Sequence, residues 1–222
     1  MRAAILGVLV IVAGLASVPA GATLLTPGSS GLAENFGTVG VNGSGAVLAT
    51  SIGSFSSANF TGNFSSVVVS DATNPFCTGC LDFVYQISVG AAPDGNSSGA
   101  IARITGFSFD GFSTDAGSAT IAPPDLNSAG GIAPTTVDRS ISPGDTIGFN
   151  FAADTLVPGT FSYILVIRTD AVAFDSGTLN IDGLATVAAF EPVAVPEPTS
   201  LVLLCTALFG FGLIRANILR AG

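Results

Sequence analysis

Leu81-Asp82-Phe83-Val84-Tyr85-Gln86-Ile87-Ser88-Val89 carries an apolar side chain at every odd position. Successive side chains of an extended chain point to opposite faces, so this run reads as a strand with one apolar face; a helix would space its apolar residues every three or four. Ile147-Gly148-Phe149-Asn150-Phe151 alternates in the same way, and both are expected to be half-buried strands. Working outward, Phe161-Ser162-Tyr163-Ile164-Leu165-Val166-Ile167 is almost continuously apolar and reads as a central strand. Val47-Leu48, Val67-Val68-Val69, Ile101-Ala102-Arg103-Ile104 and the run from Leu179 through Val187 are further candidates. Pro93-Asp94-Gly95-Asn96, Pro123-Pro124-Asp125, Ser142-Pro143-Gly144-Asp145 and Pro158-Gly159 are turn signals between them. No window here has a 3.6-residue apolar period, so the expectation is an all-β fold, a β-sandwich of about seven to nine strands. The stretch from Gly28 to Asn63, rich in Gly, Ser and Asn, reads as irregular strands and loops.

Charged residues make up 9% of the 222-residue chain, against about 25% in a typical globular protein. Surface polarity must therefore come from Ser, Thr, Asn and Gly. All six cations are Arg; Arg2, Arg215 and Arg220 lie near the ends, leaving Arg103, Arg139 and Arg168 against all fifteen acids, a balance of −12. Such a surface repels phosphate, so no nucleic-acid partner is expected. Length allows one domain once the terminal segments are set aside.

Those segments have their own signatures. Met1-Arg2, then the small and apolar run Ala3 to Ala16, then Ser17-Val18-Pro19-Ala20-Gly21-Ala22, form a signal helix of the Sec type. Ala22 places the cut before Thr23, and Ala20 before Gly21. At the other end, Thr199 to Ile214 is uncharged over sixteen residues, about 24 Å as a helix against a hydrocarbon core of about 30 Å. Continued to Leu219, with Arg215 snorkelling, it reaches about 31 Å and can span. Arg215 and Arg220 then lie on the cytoplasmic side and the domain outside. In front of this helix, Pro196 and Pro198 hold Glu197 in extended backbone. The expected organisation is a signal peptide over 1–22, an exported sandwich over 23–191, a linker with the Pro-Glu-Pro motif over 192–198, and a transmembrane helix with basic tail over 199–222.

Pro196-Glu197-Pro198, a single hydrophobic helix and terminal Arg residues resemble the PEP-CTERM sorting signal of Gram-negative bacteria. The wider spacing of Arg215 and Arg220 departs from the tight basic cluster common in that family. The resemblance implies recognition by an exosortase, a membrane-embedded transpeptidase-like enzyme, with cleavage near the motif and delivery to the cell surface or matrix. Extracellular polysaccharide as a partner also comes from the resemblance alone. The body is similar to uncharacterised domains of other PEP-CTERM proteins through Phe83-Val84-Tyr85-Gln86, Ala133-Pro134-Thr135-Thr136-Val137-Asp138-Arg139 and Val166-Ile167-Arg168-Thr169.

Few residues suggest chemistry. Cys77-Thr78-Gly79-Cys80 is expected to be a local disulfide in an exported chain; a zinc site would need two more ligands, yet there is no His, and Cys205 lies in the tail. Without His no His-based triad can form. Asp94, Asp125, Asp145 and Asp154 stand at turns, where they cap backbone N–H groups. Phe107-Ser108-Phe109 and Phe149-Asn150-Phe151 are expected to place ring pairs on a strand face, for core packing. No catalytic residue, metal or cofactor is expected, and the chain reads as a structural or adhesive surface protein. The alternative is a module for glycan, calcium or ice, and the remote alternative a hydrolase built on two carboxylates.

Overall fold

The computed structural model describes residues 23–37, 45–95, 99–120, 126, 131–153 and 155–195. The signal helix over 1–22 and the tail helix over 199–222 lie outside these residues. Among the described residues there is no helix long and apolar enough to cross a membrane.

Among the described residues twelve strands form two six-stranded sheets. In chain order they are β1 Ser30–Leu32, β2 Glu34–Asn35, β3 Gly45–Ser56, β4 Thr61–Asp71, β5 Cys80–Gly90, β6 Arg103–Gly106, β7 Thr114–Ala119, β8 Thr136–Arg139, β9 Ile147–Asn150, β10 Ile164–Thr169, β11 Phe174–Ile181 and β12 Ala185–Pro192. The first sheet runs β1-β8-β9-β6-β11-β12 and the second β2-β7-β10-β5-β4-β3. Neighbours are antiparallel except β2 and β7, which are parallel. The strand count exceeds the expected seven to nine because β1, β2 and β8, of two to four residues, are too short to leave an alternation pattern, and the run Leu179 to Val187 divides into β11 and β12.

The sheets meet face to face as a sandwich. Phe83, Tyr85 and Ile87 of β5 and Leu165 and Ile167 of β10 pack in one cluster with Ile104 of β6, Phe149 of β9 and Leu179 and Ile181 of β11. These are the odd positions of β5, as its alternation requires. The even positions, however, are not solvated: Asp82, Val84 and Gln86 are buried as well. On that outer face Val67, Val69, Val84, Ile164, Val166 and Ala119 form a second apolar cluster with Leu126, and Phe36 packs on it. β5 is therefore a two-faced central strand, because residues remote in sequence cover its back.

Four other expectations are corrected. Gly45–Ser56 is the longest strand among the described residues, where irregular strands and loops were expected around the candidate Val47-Leu48; pairing with β4, with Phe64 seated over Gly53 and Phe55 over Gly62, organises it despite its weak strand propensity. The run Leu179 to Val187 is broken into two strands by Asp182 and Gly183, both at positive φ (53° and 71°), which close a hairpin. Tyr163 is half-buried and precedes β10, so the central strand begins at Ile164. Ser108 has φ 67° beyond the end of β6, so Phe107 and Phe109 do not share a strand face; Phe109 is buried and Phe107 half-buried.

Candidate functional site

Pro196, Glu197, Pro198, Arg215, Arg220, Ala20 and Ala22 lie outside the described residues, as do Asp125 and Asp154. The chain leading toward the sorting motif is described up to Val195. β12 ends at Pro192, the Val193 N–H donates to Ala173 O at 3.0 Å, and Val193, Ala194 and Val195 are exposed.

Cys77, in the connection between β4 and β5, is joined to Cys80, the first residue of β5, with Cα atoms 5.3 Å apart. Gly79 takes φ 80° between them, a conformation that costs glycine little. Asn74 anchors the same connection: its Nδ2 donates to Asp82 Oδ1 at 2.9 Å and to Thr169 O at 3.1 Å.

Beside this anchor two carboxyls meet out of solvent. Asp71 and Asp82 are both fully buried. Asp71 Oδ1 accepts from the Thr73 N–H and hydroxyl, each at 2.7 Å, while both Oδ2 atoms lack any donor. Burial first, then the adjacent Asp71 charge, push the Asp82 carboxyl well above the usual range, against the pull of Arg168. Further along the same face Asp115 is raised to about 6, by burial and then by Glu34, again opposed by Arg168. The Arg168 guanidinium lies 3.9 Å above the Phe36 ring. Sealed from solvent, Asp71 and Asp82 cannot meet a substrate as a glycosidase pair must.

The outer face of the second sheet divides into two halves. The apolar half is covered by Phe36 and Leu126. The other half is open, and its cross-strand rows are uncharged: Ser56, Thr61 and Gly90; Ser54, Asn63 and Ser88; Ile52, Ser65 and Gln86. Over it lie a shallow cavity of about 250 Å³, walled by Ile52 and Phe161, and an adjoining one of about 430 Å³. Gln86 Nε2 donates to Ser162 O at 3.2 Å, fixing the floor of the first. Hydroxyls and amides on a level strand face, with apolar walls and no charge, can hydrogen-bond a neutral polar ligand while its apolar patches rest on Ile52 and Phe161.

Two Arg residues that sequence reasoning did not single out for structure prove central to it. Arg139 is buried, with Nε on Gly144 O (2.7 Å), Nη1 on Leu25 O and Thr114 Oγ1 (3.1 and 2.9 Å), and Nη2 on Phe109 O and Phe112 O (2.6 and 3.0 Å). Burial lowers its pKa. Arg103 pairs with Asp138 across β6, β9 and β8, with Nη2 to Oδ1 at 2.6 Å, and also reaches Asn150. The hydrogen bond from Arg103 holds the Asp138 carboxyl below its usual range. Asp145 does not cap its own turn: its Oδ1 accepts the N–H of Ser108 at 2.9 Å. Among the described residues no group of three or more side chains is placed to hold a metal ion. Comparison of the chain with family models, with curated proteins and with solved structures finds no match.

Proposed function

We propose that the chain is an exported structural or adhesive protein of the cell surface or extracellular matrix, whose C-terminal sorting signal is processed by a membrane transpeptidase of the exosortase type. One observation carries this: Pro196-Glu197-Pro198 stands directly before the uncharged run Thr199 to Ile214 and the Arg residues Arg215 and Arg220, in a sequence whose first 22 residues carry the pattern of a secretory leader. The exposure of Val193 to Val195 supports it, since a motif read by another enzyme needs accessible chain in front of it. In this proposal the tail helix anchors the protein in the membrane until processing, and the chain has no catalytic role of its own. Replacing Glu197 by Ala in the native host tests it. The variant should stay membrane-bound with its tail uncut; parental mass and location would reduce the tail to an anchor.

A second reading, a module for a neutral glycan, is favoured by the open uncharged half of the outer face. Asn63→Asp, at an exposed position, would place a charge on that shelf and should abolish retention on a neutral polysaccharide column. Equal retention of both proteins, or none by either, would count against it.

A further inference from the structure

We propose that the Cys77–Cys80 bond is a reversible exchange site for a low-molecular-weight thiol, entered at Cys77, with the buried carboxyl pair Asp71 and Asp82 supplying the proton that Cys80 needs on leaving. The two sulfurs are unlike in their surroundings. Cys77 is exposed on the connection between β4 and β5, whereas Cys80 is fully buried at the start of β5. An incoming thiolate therefore reaches Cys77, and Cys80 is the leaving sulfur. Around Cys77 the exposed residues are Ala72, Thr73, Pro75 and Thr78, which offer neither charge nor a broad apolar patch, so the entrance suits a small thiol better than a protein surface.

The bond is not what holds this connection in place. It closes a loop of four residues, Cys77-Thr78-Gly79-Cys80, and so removes little chain entropy. Hydrogen bonds hold the loop instead: Asp71 O accepts the N–H groups of Asn74 and Gly79 (3.2 and 2.9 Å), Ser70 Oγ donates to Gly79 O at 3.1 Å, and the Phe76 N–H donates to Asn74 Oδ1 at 2.9 Å. Reduction leaves these bonds available, so the two thiols stay placed to rejoin. Cys80 needs a proton as it leaves, because a thiolate shut away from water is costly. Asp71 is the cross-strand partner of Cys80, and Asp82 follows two residues later on the same face. Both carboxyls are fully buried and neither Oδ2 has a donor, a rare state that a role in proton transfer explains. Burial, and then the adjacent Asp71, keep a proton on Asp82 where an ordinary aspartate has ionised, against the pull of Arg168.

In the first step a thiolate attacks Cys77 Sγ and the Cys77–Cys80 bond breaks. Cys80 leaves with the Asp82 proton, giving a mixed disulfide at Cys77, a Cys80 thiol and an Asp82 carboxylate. A second thiolate attacks the outer sulfur of the mixed disulfide, the two small thiols depart as their disulfide, and Cys77 takes a proton from water. Two electrons pass from two thiols to the protein, and the reverse sequence restores the bond.

The test uses the full chain in mild detergent, in a Cys205→Ser background, with reduced glutathione as the thiol and mass spectrometry of alkylated cysteines as the readout. The folded protein should be reduced faster than it unfolds, and oxidised glutathione should re-form the bond. Cys80→Ser, treated with oxidised glutathione, should take up one glutathione at Cys77. Asp82→Asn should slow reduction at least about tenfold while still melting cooperatively. Asp115→Asn, two strands away from Asp82 on the same face, should leave the rate unchanged. Reduction no faster than unfolding, a Cys80→Ser protein without glutathione at Cys77, or an Asp82→Asn protein reduced at the parental rate overturns the proposal.

Discussion

Arg139 is charged and buried, yet no carboxylate bonds it; carbonyls and one hydroxyl take all its donors. A guanidinium alone supplies five donors in one plane, which is what these acceptors require. Arg139→Ala would leave them in the interior without partners, and should destabilise the domain by about 3–5 kcal/mol in urea denaturation. Arg139→Lys, with three donors, should recover only part of this. The inward position was not legible, because β8 has only four residues and leaves no pattern to place Arg139 beside Val137. Nor was the cage, because its acceptors come from four separate loops and strands. The carboxyls make a second residue-scale prediction. Asp82 and Asp115 have folded pKa values above their unfolded ones, so the protonated forms stabilise the fold. That contribution is complete below the ordinary carboxylate range and is lost as pH rises through the folded values, about 6 for Asp115. Asp138 has the opposite sign, and its contribution is lost only below the ordinary range. The urea midpoint should therefore be higher at about pH 5 than at about pH 8, and the double variant Asp82→Asn, Asp115→Asn should shrink the difference. A midpoint that rose between those pH values would contradict the account.

Among the elements, β3 and β4 depend on glycines that sequence alone does not distinguish from loop glycines. A Cβ on Gly62 would run into the Phe55 ring and the Ser88 carbonyl oxygen, and the latter is backbone that cannot swing aside. Gly62→Ala should cost about 2–3 kcal/mol. Gly31→Ala, where no atom lies within 4 Å of the added methyl, should change stability by less than about 0.5 kcal/mol. Equal effects at the two sites would mean that the Phe55–Gly62 packing does not hold β3 in place. β5 was legible because its odd side chains alternate with polar neighbours. The burial of its even positions was not, because Phe36 and Leu126 reach it from distant parts of the chain. Central β10 was legible too, although its first residue was not. Ile167→Asp places a carboxylate at a fully buried position and should prevent cooperative folding, at a cost of several kcal/mol.

For the whole molecule, low charge and an all-β core belong together. The described domain covers the apolar half of one outer face with its own chain, leaves the other half as neutral hydroxyls and amides, and keeps Asp71, Asp82 and Asp115 out of solvent. Its last strand ends in exposed chain three residues before Pro196. Of the candidate site, the motif was legible from residue order, whereas the neutral shelf was not, because it needs three strands in register. Export and processing of the tail form the central claim, and mass spectrometry of both mature termini from fractionated native cells tests it most directly. The account predicts an amino terminus at Thr23 or Gly21 and a carboxyl terminus close to Pro196-Glu197-Pro198, in the surface or matrix fraction. A protein that retains Met1 and Gly222 would contradict it.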